Sequence, residues 1–238
     1  NYNVYVINGT GQNNDDVNNL KDIGGRIDIN LASLAEIKNA VIDVGASLSK
    51  GSLSFSSSTG SLTQATEANG ATFFQVSGLG LGNPNPISHR RRWGLEGALA
   101  YGPVKLQTEY IGANLTGWQG NIHFDNDIKN WYVDLNWLVT GEVYADNYKS
   151  GVFGRIKPKQ NFDDKSGWGA FELGLRYSKF DASDFENLLP AATATTAYTS
   201  EADAWTAGAK WVLNPNARIV LNYVHTMFDT PITVKGKQ

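Results

Sequence analysis

Cysteine is absent from the 238 residues, and methionine occurs once. Without thiols the chain can hold no disulfide framework, no zinc–thiolate cluster and no cysteine nucleophile. Charge of one sign is not in excess: 20 lysines and arginines stand against 23 aspartates and glutamates, for a formal net charge of -3. That balance speaks against a dedicated nucleic-acid binder. No apolar run reaches the roughly 18 residues a transmembrane helix needs. The start shows no charged-then-apolar segment, so a signal peptide is expected to have been removed or to lie outside this stretch. Helical periodicity is scarce as well, and the best candidate, 31–39, is too short to stand alone. A hydrophobic content of 41% resembles a soluble protein. A membrane β-barrel has the same bulk content, because only alternate residues face lipid.

Alternation with period two runs through most of the chain. In 41–49, Ile42, Val44, Ala46 and Leu48 share one side, opposite Val41, Asp43, Gly45 and Ser47. In 92–101, Trp93, Leu95, Leu99 and Tyr101 oppose Arg92, Glu96, Ala98 and Ala100. In 130–139, Trp131, Val133, Leu135 and Trp137 oppose Tyr132, Asp134 and Asn136. Comparable patterns cover 169–177, 205–213 and 218–223. Such segments are strands with one apolar and one polar side. The reading gives nine strands, at about 2–7, 20–31, 39–50, 90–101, 104–115, 129–139, 168–180, 203–213 and 217–228. Connections alternate in length. The long ones, 8–19, 51–89, 116–128 and 181–202, are rich in Ser, Thr, Asn, Gly and Asp; the short ones are 32–38, 102–103 and 214–216. Segment 140–167 is long where a short turn is due. Long loops at one end and tight turns at the other are the habit of outer-membrane barrels.

The seven tryptophans, ten tyrosines and ten phenylalanines supply a second signal. Trp131 and Trp137 lie on one side of their strand, as do Trp205 and Trp211, and Trp93 and Tyr101. At roughly 3.4 Å per residue and a tilt near 40°, these pairs span about 15–21 Å along a membrane normal. Together with Tyr223 they read as two interfacial girdles with aliphatic side chains between them. A soluble β-sandwich is the competing reading, but it would bury strand middles and leave strand ends polar. The expected fold is therefore all-β, an antiparallel transmembrane β-barrel, with 1–238 as a single segment of it. An odd strand number cannot close an antiparallel barrel, so N-terminal strands and a last C-terminal strand are expected to be missing.

Three stretches carry a family resemblance: Trp131 to Glu142 followed by Gly151 to Pro158, Gly167 to Ser178, and Ala207 to His225. Leu99 to Gln107 adds a matching tight turn. In order and spacing they resemble the C-terminal half of the phosphate-selective porin O and P family. The resemblance covers roughly 90–228, and more loosely the start at Asn8-Gly9-Thr10-Gly11. It implies a trimeric outer-membrane barrel of about sixteen strands, with a narrow pore lined by arginine and lysine. It also implies that 140–167 is an ordinary periplasmic segment, and that the inward-folded loop narrowing the pore lies upstream of Asn1.

Polar residues opposite the apolar stripe would line the lumen. The basic ones are Arg26, Arg90, Arg92, Lys105, Arg176, Lys210 and Arg218; the acidic ones are Asp28, Asp43, Glu96, Glu109, Asp134 and Glu172. The near balance predicts no anion preference by itself. Arg90-Arg91-Arg92 is the densest positive feature, with Arg90 and Arg92 directed inward and Arg91 outward, where it suits a lipid phosphate. Guanidinium forks match phosphate oxygens and can replace an anion's hydration at several weak sites. The competing reading pairs these arginines with lumen acids or with lipopolysaccharide phosphates at the rim. His89, His123 and His225 lie in or near loops without a catalytic spacing. Asp15-Asp16 and Asp125-Asn126-Asp127 read as solvated loop acids before calcium ligands, and 78–82 as a flexible glycine loop. The expected function is a passive channel for small anions such as phosphate or polyphosphate, a homotrimer among outer-membrane lipid and lipopolysaccharide, with no catalysis, cofactor, metal or nucleic acid. A general porin, a barrel lipid hydrolase and a soluble binding module are the alternatives.

Overall fold

The computed structural model describes residues 1–9, 20–54, 60–80, 87–163, 165–193 and 197–233. Nine long strands form one antiparallel meander, each paired with its neighbours in the sheet order. They are β1 (Tyr2–Asn8), β2 (Lys21–Asn30), β3 (Ala40–Ser54), β6 (Ile87–Tyr101), β7 (Val104–Gln119), β8 (Ile122–Leu138), β11 (Ala170–Asp181), β12 (Glu201–Asn214) and β13 (Ala217–Phe228). Two further strands, β4 (Gly60–Ala65) and β5 (Thr72–Leu79), form a hairpin off that path. A separate two-residue pair joins β9 (Tyr148–Lys149) to β10 (Val152–Phe153). Among the described residues β1 and β13 do not pair with each other, so the sheet is open. Within 31–39, too short for a helix that stands alone, there is a single turn, Leu31–Leu34, capped by the Asn30 side chain, which accepts from the Ser33 amide.

Turn chemistry closes the tight end. The Asn214 side chain accepts from the amides of Asn216 (2.9 Å) and Ala217 (3.0 Å), an Asx turn that reverses the chain. The expected long loop at 116–128 is instead a continuation of β7 and β8, which stay paired out to Gln119 and Ile122. Gly120, at φ +59°, supplies the reversal, a conformation side chains disfavour. Beyond the apolar band a strand needs no greasy side, so its polar sequence reads as loop.

The stretch 51–89 is also not simply a loop. Its β4–β5 hairpin folds back over one side of the sheet, called here the inner face. Phe73, Phe74, Val76 and Leu79 of β5 pack with Leu115, Phe124, Phe180 and Phe185 in one buried cluster. Phe73 meets Phe180 edge-on at 5.3 Å between ring centroids. The hairpin is tied by the backbone as well: Thr199 N donates to Phe73 O (2.8 Å), and Gly80 N to Trp118 O (2.8 Å). Gly78 and Leu79, expected in a flexible loop, belong to β5, whereas 81–82 fall outside the described residues. An infolded hairpin therefore lies within this chain, whatever the loop that the family resemblance implies upstream of Asn1.

A second insertion comes from the short-turn end. Segment 140–167 does not stay below the sheet. A 3-10 turn, Tyr144–Asn147, and the β9–β10 pair carry Tyr144, Tyr148 and Phe153 onto Val41, Ala98, Ala100 and Leu138. Tyr144 N donates to Gly102 O (3.0 Å), fastening the insertion to the β6–β7 turn.

Candidate functional site

Register places every basic candidate on the inner face. Ala100 lies opposite Lys105, Lys105 opposite Asn136, Arg176 opposite Asp134, Lys210 opposite Glu172, and Arg218 opposite Val212. Arg26 sits across from Ser47, and Arg92 from Ser49. The seven cations thus share one wall, spread across six strands. The two insertions lie on the same wall.

Most of these cations have an acid. Arg26 donates to Glu96 (2.5 Å) and Asp28 (3.1 Å). Lys105 is 4.0 Å from Asp134, and its ammonium lies 5.1 Å from the Phe153 ring centroid. Lys210 donates to Glu172, which also accepts from the Tyr144 hydroxyl (3.0 Å). Burial, reinforced by Glu172, pushes the Tyr144 phenol far above its usual pKa, so it is a neutral donor there. Arg176 stacks 4.2 Å over Tyr132 and lies 3.8 Å from Glu67 at the turn of the β4–β5 hairpin. Arg218 is exposed at the short-turn end and lines a cavity with Arg155 and Lys210. No ion pair of Arg218 occurs among the described residues.

The departure from one-to-one pairing is at the long-loop end. Arg90 and Arg92 donate to the same oxygen of Asp22, at 2.6 and 3.0 Å. Asp22 is fully buried. Among the described residues, two cations on one carboxylate leave a formal positive charge, and Arg90 Nε is buried without a hydrogen-bond partner. Gly51 makes room for this node, because a Cβ there would fall 1.5 Å from Asp22 Oδ1. Gly51→Ala is therefore expected to displace the carboxylate and lower stability by about 1–3 kcal/mol. A drop in the urea midpoint of the purified protein checks this, and an unchanged midpoint refutes it.

The opposite face carries the aromatics. Tyr101, Trp137, Trp205 and Tyr223 are exposed, with Tyr101 at 73% and Tyr223 at 70%. Trp93, Trp131 and Trp211 are half-buried on that same side, flattened on neighbours and not enclosed by a second layer. Trp131, Tyr177 and Trp205 touch in one row, with centroids 5.3 and 4.8 Å apart. Trp211 stacks on Phe171 at 5.4 Å and meets Phe162 in another row near the opposite strand ends. Exposed Leu95, Leu99, Leu135, Leu173, Leu175 and Leu221 lie on the same side. A wide apolar face edged by rings, behind a charged inner wall, is the signature of a strand protein that spans lipid.

The family model "Phosphate-selective porin O and P" matches residues 10–229. The chain belongs to that family. It is 31% identical to Porin O of Pseudomonas aeruginosa over 161 residues, which covers 68% of this chain and 34% of the relative. The chain thus spans about a third of the length of that curated relative. No solved structure matches it.

Within this porin-family chain, sequence reasoning missed three wall groups. Asp22 has the same parity in β2 as Gly24, Arg26 and Asp28, so the alternation could have found it. Glu67 and Arg155 lie on the insertions, where no strand pattern points to them. The histidines lie near strand ends: His89, His123 and His225 sit two, one and three residues inside the ends of β6, β8 and β13. Asp125 and Asp127 are strand residues, both accepting from the Asn114 amide (2.8 and 3.0 Å). Among the described residues no acidic or histidine cluster has the makings of a metal site; Asp15-Asp16 lies outside them. The outer face does bring a serine and a histidine together, Ser52 Oγ and His89 Nδ1 at 3.2 Å. Among the described residues no carboxylate orients that ring, as a serine nucleophile's base requires.

Proposed function

We propose that this chain forms part of the wall of an outer-membrane porin of a Gram-negative bacterium, a trimeric channel through which small anions such as phosphate or polyphosphate diffuse passively. The observation that carries the reading is the Arg90–Asp22–Arg92 node, an excess of guanidinium over carboxylate at the long-loop mouth. Arg176 repeats the theme further along, with a buried Nε that has no hydrogen-bond partner among the described residues. Fixed guanidinium N–H groups can take over part of an anion's hydration. The paired cations, Arg26, Lys105 and Lys210, keep each stop weak, so that a bound anion leaves again. Arg218 and Arg155 widen the positive exit at the short-turn end. Transport down a gradient needs no bond making and no cofactor.

The near balance of the remaining wall favours the rival, a weakly selective general porin on the same scaffold. Single-channel recordings of the full-length protein in a potassium chloride gradient separate the two. The anion reading expects a reversal potential toward chloride and block by added phosphate. A reversal potential toward potassium with no phosphate block overturns it.

A further inference from the structure

The outer ends of β3 and β6 present three outward rows in register: Leu48 opposite Trp93, Lys50 opposite Arg91, and Ser52 opposite His89. Passing toward the long-loop end, the surface changes from apolar to doubly cationic to hydrogen-bonding within five residues of strand. We propose that these rows bind a phosphate-bearing acylated lipid of the outer leaflet, its phosphate on Lys50 and Arg91 and a chain along Leu48 and Trp93. The assignment rests on the porin reading only for which leaflet meets the long-loop end.

Like charges directly opposite on neighbouring strands destabilise a sheet. On the inner face the same problem is solved by Asp22, which holds Arg90 and Arg92. On the outer face Asp125 and Asp127 line the same trough, but neither Lys50 nor Arg91 has an ion pair among the described residues, and both side chains are exposed. A single external anion between them removes the repulsion and gains two charge-assisted contacts. Free anions from water would meet that need poorly beside a greasy surface. Below the cations the wall is an open apolar trough lined by Val4, Ile23, Ile27, Leu48 and Trp93. Val4 is 79% exposed and Leu48 70%, so an acyl chain has contact surface directly under the phosphate. Above it, the Ser52 hydroxyl and the His89 ring offer donors to a phosphate or its sugar. Asp125 and Asp127 bound the site on the β8 side, two strands from Arg91 and three from Lys50, both engaged by Asn114 of β7. Clustered basic side chains at a membrane surface hold anionic headgroups in this way.

The test uses full-length protein in neutral detergent, titrated with lipid A in phosphorylated and in dephosphorylated form and followed by native mass spectrometry. The unmodified protein is expected to retain the phosphorylated lipid, and the double variant Lys50→Gln/Arg91→Gln to bind it about tenfold more weakly. Trp93→Ala should weaken it less, and excess inorganic phosphate should not compete. Conductance and phosphate block of the double variant should stay as they were, since neither side chain faces the inner wall. Equal binding by the double variant, equal binding of the dephosphorylated lipid, or displacement by inorganic phosphate overturns the proposal. So does a change in oligomeric state of the double variant with lipid binding intact, which would assign this surface to a second copy. Loss of anion selectivity in the unmodified protein would strike the porin reading and leave this one standing.

Discussion

Asp22→Asn is expected to shift the pore toward anions more than any other single change on the inner wall. The substitution keeps the shape and one acceptor oxygen while removing the charge that two arginines share. Arg90 and Arg92 then carry two uncompensated charges at the long-loop mouth. For an ion about 10 Å away, one added unit charge is worth about 0.4–1.7 kcal/mol between an effective dielectric of 80 and one of 20. That corresponds to roughly a two- to twentyfold rise in anion occupancy at the mouth, with an opposite fall for cations, so the anion-to-cation permeability ratio rises by at least that factor. Reversal potentials in a salt gradient read the ratio directly, and phosphate should block the variant at lower concentration. The gain should shrink at high ionic strength, because the mouth is wet and screened. A ratio that stays put, or moves toward cations, would mean that the node is structural scaffolding and takes no part in conduction. A stability cost is expected alongside, since taking the charge from a buried ion pair strands its partners.

Phe185→Ala should produce the largest change in conductance. Phe185 is fully buried in the turn Ser183–Leu188 and seats the β4–β5 hairpin against the wall. Its ring lies 5.6 Å from Phe124 of β8 and 6.2 Å from Phe74 of the hairpin. Emptying such a site costs about 3–5 kcal/mol. The nine-stranded sheet has its own ladder of backbone hydrogen bonds, so the loss falls on the hairpin's seat. Glu67 leaves Arg176 when the hairpin lifts. Expected together are a higher single-channel conductance, noisier open levels, and new protease cleavage in the hairpin turn at 66–71. Conductance and cleavage both unchanged would show that the hairpin does not narrow the path.

The sheet itself was legible because a lipid-facing strand must alternate, and alternation survives in a single sequence. Parity alone placed Arg26, Arg176 and Lys210 on one side and Trp137, Trp205 and Tyr223 on the other. The same logic explains each failure. In β5 both sides are buried, so Phe73 and Phe74 stand side by side and the pattern vanishes. The upper parts of β7 and β8 rise past the apolar band, so Asn114, Thr116, Asp125 and Asp127 look like loop. Tyr144, Tyr148 and Phe153 fold onto strands more than forty residues away in some cases, which local periodicity cannot express. Partner choice was hidden for that reason too. Asp22 meets Arg90 across 68 residues of sequence, and nothing near either one announces the other.

The split of Arg90, Arg91 and Arg92 between two faces has a bearing on how the sheet assembles. A slip of β6 by one residue against β3 inverts every side chain it carries. Glu96 would be driven into hydrocarbon, Leu95 and Leu99 into the aqueous interior, and Arg90 and Arg92 would be turned away from Asp22. A misaligned insertion is thus penalised along the whole length of the ribbon at once, and the triplet acts as a proofreading mark that lets only one alignment persist in the bilayer.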